Sequence, residues 1–151
     1  MDMRGLTRKV VPVILLMVTM LGAKLVSAQT DKIEGTWFNQ KKDAKIQIYK
    51  ARDGKFYGKI IWLRDPIENG KPKTDKKNPK ENLRNQPLVE MVIMKGFELD
   101  GDTYEDGTIY DPESGKTYDC KMSFKGSSLA VRGYIGLSLF GRTEIWERAS
   151  S

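Results

Sequence analysis

The sequence predicts an all-β chain, about eight short strands in an antiparallel up-and-down meander closed into a barrel. Three observations carry that prediction. Turn signals recur at Asp53-Gly54, Asn69-Gly70, Asp100-Gly101, Asp111–Gly115, Lys125-Gly126 and the glycine-flanked segment from Gly136 to Gly141. From Asp100 onward they stand a strand and a turn apart, the rhythm of consecutive hairpins. The runs between them alternate with period two, which gives strands one buried face. No long helix fits between the turns, and closure into a barrel removes the open edges such strands would otherwise leave.

Taken in order, the strands are predicted at Gly35–Phe38, Ala44–Lys50, Lys55–Leu63, Leu88–Phe97, Thr103–Tyr110, Lys116–Phe124, Ser128–Ile135 and Arg142–Arg148. In the second, Ile46 and Ile48 oppose Lys45 and Gln47; in the third, Phe56, Ile60 and Trp62 oppose Lys59. Tyr118, Cys120, Met122 and Phe124 oppose Asp119, Lys121 and Ser123 in the sixth. Leu129, Val131 and Ile135 alternate with Arg132 and Tyr134, and Trp146 shares parity with Arg142 and Arg148. The stretch from Arg64 to Arg84 breaks this rhythm, being rich in Lys, Asn and Pro. There Asn78-Pro79-Lys80-Glu81 reads as N-cap, first-turn proline and capping-box glutamate, which predicts one short helical turn in a basic loop.

Ahead of the barrel the first 28 residues read as a cleavable signal peptide. A basic start (Arg4, Arg8, Lys9) precedes an apolar stretch from Val10 to Leu21, then Val26-Ser27-Ala28 before Gln29. The apolar stretch is shorter than the roughly 20 residues a membrane span needs, and Lys24 interrupts its far end. Cleavage leaves residues 29–151 as one domain with no transmembrane span, exported to the periplasm or secreted. It takes away four of the 26 basic and one of the 20 acidic residues, so the formal net charge falls from +6 to +3. That balance weakens a nucleic-acid partner. Cys120 is the only cysteine, so no intrachain disulfide forms, and stability has to come from packing.

Chemistry is constrained by an absence: the chain has no histidine. The commonest general base, the usual zinc ligand and the ordinary serine triad go together. No phosphate loop or paired-cysteine motif points to a cofactor or a metal, and none is assigned. A carboxylate pair, Asp111 and Glu113, would permit an enzyme, but Asp-Pro with Gly115 downstream is also the composition of a tight turn. Cys120 beside Lys121 would be a nucleophile if a cation lowered its pKa; adjacent strand residues face opposite ways, which favours a core role.

The remaining candidates are apolar side chains and arginines. Phe56, Ile60, Trp62, Met91, Ile93, Tyr118 and Met122, with Arg132 and Arg142, are the candidates for lining a lumen. Gly35 and Trp37 open the first strand, and Trp146 lies in the last with Arg142 and Arg148. A tryptophan of the first strand covered by an arginine of the last would plug one barrel end through a cation–π contact, with either arginine eligible. Leu137-Ser138-Leu139-Phe140 is an apolar tip where polar residues are usual, either an exposed lip or an inward-folded part of the core.

Several motifs carry a family resemblance: Gly35-Thr36-Trp37, Tyr57-Gly58-Lys59-Ile60, Asn78-Pro79, Leu83-Arg84-Asn85, the run from Gly107 to Lys121, and Arg132-Gly133-Tyr134-Ile135-Gly136 through Gly141-Arg142-Thr143 to Trp146. Together they resemble a family of exported bacterial proteins, the domain-of-unknown-function family 2147. The resemblance covers nearly all of the chain after residue 28. It implies a lipocalin-like (calycin-like) barrel and a bacterial envelope or secreted location, with no established activity. The Gly-x-Trp opening is also similar to the first-strand motif of lipocalins, which commonly carry small apolar ligands. One departure is Glu90, where the family pattern leads us to expect glycine.

These readings lead to an exported, non-catalytic binding protein holding a small apolar or amphipathic ligand. An alternative is an envelope module in which the basic 71–84 loop or the 137–140 tip meets a protein or lipid headgroups. A carboxylate enzyme is a further alternative.

Overall fold

The computed structural model describes residues 32–150. The signal segment predicted at residues 1–28 lies outside them. Ten strands form: β1 (Gly35–Phe38), β2 (Ala44–Lys50), β3 (Phe56–Leu63), β4 (Ile67–Glu68), β5 (Lys71–Pro72), β6 (Val92–Asp100), β7 (Thr103–Asp111), β8 (Lys116–Lys125), β9 (Ser128–Tyr134) and β10 (Arg142–Arg148). Eight of them close an antiparallel barrel in the order β1, β10, β9, β8, β7, β6, β3, β2, while β4 and β5 make a separate small hairpin. The ring is an up-and-down meander, as expected from the spacing of the turns.

The closing seam is short. Strands β1 and β10 pair only through Trp37 with Arg148 and Phe38 with Glu147. The side chain of Gln40 extends this ladder, its Oε1 accepting from the Ile145 N–H at 2.8 Å. At the same end of the chain Trp37 is wholly buried, donates from Nε1 to the Ile33 carbonyl at 2.9 Å and packs against Phe124. Ile33, Ile48, Phe56, Phe97, Tyr104, Met122 and Leu129 join it in a packed core. Gly107 belongs to this packing, because a Cβ there would collide with the Phe97 ring.

Three local departures from the sequence expectation have physical causes. The helical turn in the basic loop is a 3-10 turn at Glu81–Leu83, with Lys80 rather than Asn78 at its N-cap and no side-chain cap. Asn78 instead forms an Asx turn, its Oδ1 accepting from the Lys80 N–H at 2.9 Å. Strand β6 starts at Val92, not Leu88, because Glu90 takes φ +73° and bends the chain away from strand geometry. The bend brings the Glu90 N–H to the Ile60 carbonyl at 2.7 Å. Finally, the pairing of β2 with β3 shifts between Lys45 and Ile46, where Ile46 faces Ile60 but Lys45 faces Trp62. This bulge adds a residue on β3 and reverses the parity of the residues after it.

Candidate functional site

All odd-even alternation in a barrel resolves into lumen and exterior, and the lumen here is filled at one end only. The four loops at the other end, residues 39–43, 64–91, 112–115 and 135–141, surround an open mouth. Beneath it lies a cavity of about 530 Å³. Its buried lining is Ile46, Ile60, Ile93, Val131 and Trp146, joined by Leu63, Leu88, Ile109 and Tyr118. Nearer the mouth stand Lys41, Lys73, Asp111, Glu113, Arg142 and Glu144. Glu144 Oε2 accepts from Trp146 Nε1 at 3.0 Å, which satisfies the only polar atom of the indole and fixes the ring. Among the described residues the Arg142 guanidinium has no hydrogen-bond or ion-pair partner, although it lines the cavity and remains exposed.

The mouth is crossed by a bridge. Lys41 of the β1–β2 loop pairs with Glu113 of the β7–β8 turn at 3.0 Å, and β1 and β7 lie on opposite sides of the eight-strand ring. The long 64–91 connector braces the same turn from outside: Lys77 Nζ donates to the Glu113 carbonyl at 2.6 Å. That connector is anchored by Asp75, a fully buried carboxylate that accepts from Tyr110 Oη and Asn78 Nδ2, each at 2.7 Å. Burial and then the bond to Asp75 push the Tyr110 hydroxyl up to about 12.

The lumen candidates divide. Ile60, Ile93, Tyr118 and Arg142 line the cavity. Phe56 and Met122 are buried in the packed half instead, where Phe56 meets Tyr104 edge-on at 5.1 Å, and Met91 is half-buried against the core. Trp62 lies outside the barrel because of the β3 bulge, stacking edge-on with Phe38 under the Lys45 ammonium. Arg132 is also outside. It faces away from Val131 and Gly133, donating to the Ser138 and Leu139 carbonyls at 2.7 and 3.2 Å and to Thr143 Oγ1 at 2.8 Å.

The closure candidates divide as well. Arg148 is the arginine that covers Trp37, 4.2 Å from the ring centroid, whereas Arg142 lies at the mouth. Arg148 also donates to the Glu34 carbonyl at 3.0 Å and to that of Lys32. Gly35 makes room for it, since a Cβ there would sit 2.6 Å from Arg148 Nη1, and its φ of +130° suits glycine alone. Trp146 belongs to the cavity lining and not to this plug. Sequence reasoning missed Ile46, Leu63, Leu88, Ile109 and Val131 as cavity residues and gave Trp146 to barrel closure instead. Ile109 pairs with Tyr118, itself a lumen candidate, so the meander places it inward once that pairing is known; Leu63 was hidden by the bulge.

The chemistry-bearing alternatives have structural explanations. Asp111 caps its own turn, with Oδ1 accepting from the Glu113 N–H at 2.9 Å and Oδ2 from Ser114 Oγ at 2.6 Å. Glu113 is held in the pair with Lys41. Cys120 is wholly buried, and burial pushes its thiol up to about 12, which leaves it protonated and inert. The 137–140 tip points into solvent, not into the core. A second hollow of about 1300 Å³ lies outside the plugged end, between the β6–β7 and β8–β9 turns. Its walls mix Leu99, Tyr104 and Phe124 with serines and charged groups, so it is less apolar than the lumen cavity.

Among the described residues no helix is long and apolar enough to cross a membrane. No curated protein matches the chain. In fold it is similar to protein HP1028 from the human pathogen Helicobacter pylori, which is described as belonging to the lipocalin family. The two share 25% identity and a TM-score of 0.67 over 78% of this chain and 82% of that one. Residues 35–148 match the family described as "Uncharacterized protein conserved in bacteria (DUF2147)", and the chain, a lipocalin-like closed barrel, belongs to that family.

Proposed function

We propose that this protein is an exported, non-catalytic binding protein that holds one small amphipathic molecule in the upper half of its barrel. The observation that carries the reading is the half-filled lumen, a cavity of about 530 Å³ with an apolar base and an unpartnered Arg142 near its mouth. That volume lies within the range of roughly 300–1,000 Å³ used by small-molecule sites. An apolar tail would bury against Ile46, Ile60, Ile93, Val131 and Trp146, gaining about 25 cal/mol for each Å² removed from water. An acidic or strongly polar head would meet Arg142, whose planar fork suits a carboxylate or phosphate. The Lys41–Glu113 bridge acts as a latch over the entrance. Both partners are well exposed, so opening it costs little.

Native mass spectrometry of the protein purified from its source organism tests this directly. One stoichiometric adduct of lipid-like mass is expected, displaced by organic extraction. Repeated spectra of the bare polypeptide would sink the reading. The same spectra test the export step, since cleavage before Gln29 leaves a chain of 123 residues.

A further inference from the structure

The most exposed large apolar side chains among the described residues all belong to one hairpin. Ile135 is 71% exposed, Leu137 67%, Leu139 78% and Phe140 76%, and all four lie in the β9–β10 connection. The other exposed hydrophobics, Trp62, Ile67 and Leu99, are scattered over separate elements. Single exposed apolar residues are ordinary, but a cluster of this kind calls for a partner.

The tip is held firmly. Residues Ser138–Phe140 form a 3-10 turn closed by the bonds from Phe140 N–H to the Leu137 carbonyl (3.1 Å) and Gly141 N–H to the Ser138 carbonyl (3.2 Å). Arg132 takes the Ser138 and Leu139 carbonyls from below, and Lys121 Nζ reaches Ser138 Oγ at 3.4 Å. The Leu137, Ser138 and Leu139 carbonyls and the Phe140 and Gly141 N–H groups are thus met from within, which lowers the cost of moving the tip out of water. The same contacts set two cations directly under the apolar side chains, with Arg142 following at the start of β10. Lys121 keeps unused donors.

We propose that this hairpin is a membrane-surface anchor. Ile135, Leu137, Leu139 and Phe140 enter the boundary of the acyl chains, while Lys121 and Arg132 lie at the depth of anionic lipid headgroups. Apolar residues ahead of a collar of cations is the arrangement by which interfacial segments bind bilayers. Charge complementarity selects an anionic lipid surface. A second copy of the chain fits less well, because a stable protein interface uses about 800 Å² on each partner, more than one hairpin tip presents. Since the hairpin borders the mouth, docking turns the cavity toward the bilayer. The anchor stands without the ligand reading, because its residues are not those that line the cavity.

Co-sedimentation of the purified protein with vesicles tests it, comparing equimolar phosphatidylethanolamine and phosphatidylglycerol with phosphatidylcholine alone. Binding to the anionic vesicles is expected, weakening as salt is raised. The double variant Leu139→Asp with Phe140→Ser should bind at least about tenfold more weakly at unchanged thermal stability. Phe140→Trp should keep binding and show a blue-shifted emission on vesicles. The proposal is overturned if the wild type stays in the supernatant, if the double variant sediments equally, or if the Phe140→Trp emission is unmoved. Sedimentation velocity showing a wild-type dimer that the double variant dissociates would reassign the tip to self-association. Loss of vesicle binding leaves the native-mass adduct untouched, so the two proposals fail separately.

Discussion

Arg148 joins the first and last strands of the barrel through one side chain. Its guanidinium covers Trp37 and holds the carbonyls of Lys32 and Glu34, so it fastens the segment before β1 to the last strand. Arg148→Ala removes a cation–π contact and two charge-assisted bonds, and we expect a loss of about 1–3 kcal/mol in urea unfolding. Lysine in its place should restore little, because an ammonium lacks the fork that reaches both carbonyls. Glu90 presents the opposite case. A side chain at φ +73° carries strain of about 1–2 kcal/mol, against a smaller entropic cost for glycine. Glu90→Gly should therefore stabilise the protein by about 0.5–1 kcal/mol despite the loss of an exposed pair with Lys59. Thermal melting at neutral pH checks this. Cys120 sets an alkaline limit. Its thiol rises from 9.0 to about 12 on folding, so the fold favours the protonated form. That contribution is complete below pH 9 and is lost as pH climbs toward 12, with Tyr110 adding to the loss above pH 10. Urea midpoints of Cys120→Ala should fall less steeply above pH 9 than those of the wild type.

Among the elements, the 64–91 connector departs furthest from what its composition suggests. A polar, lysine-rich loop reads as solvated chain, yet this one is a folded strap. The β4–β5 hairpin turns at Asn69 and Gly70, both at positive φ, and Thr74 bridges to Pro87. Its cations are partly committed: Lys76 pairs with Glu68, Lys77 with the Glu113 carbonyl and Arg84 with the Asn78 carbonyl. Asp75 is the pin. Asp75→Ala strands Tyr110 Oη and Asn78 Nδ2 without their acceptor, and we expect about 2–4 kcal/mol of destabilisation. Limited proteolysis should then cut within residues 64–91, sites the wild type protects. The β3 bulge is the other decisive element. By inserting a residue after Ile60 it turns Trp62 outward and Leu63 inward, so the aromatic expected in the lumen became an exterior cap on Phe38.

At the scale of the whole molecule, aromatic side chains crowd one half of the lumen, while the other is lined mainly by aliphatic ones with Trp146 and Tyr118 among them. Trp37, Phe56, Phe97, Tyr104 and Phe124 fill the plugged end, whereas isoleucine, valine and Gly133 line much of the mouth end. Gly133 is the most informative position to fill. A Cβ there would meet Tyr118 at 3.6 Å and Ile109 at 3.7 Å, ordinary contact distances, with open cavity beyond. Gly133→Leu should occupy the cavity, abolish the native-mass adduct and leave the melting temperature within a few degrees of wild type. An adduct that survives this substitution is bound elsewhere.

Strand number, strand order and most strand limits were legible in the linear chain, because turn residues and period-two alternation act over a few neighbouring positions. The Trp37 plug was legible too, since closing a meander brings its first and last strands together. The features that stayed open needed distant contacts. The choice of Arg148 over Arg142 depends on which end of the barrel each reaches, and both share one parity in sequence. Trp62 was misplaced because a bulge shifts register through pairing with another strand, whereas the outward side of Arg132 was already set by its alternation with Val131 on β9. The cavity itself is a volume, a sum over eight strands of how large each inward side chain is at each height. Local sequence determined that there would be a barrel, and only the tertiary packing decided that half of it would be left hollow.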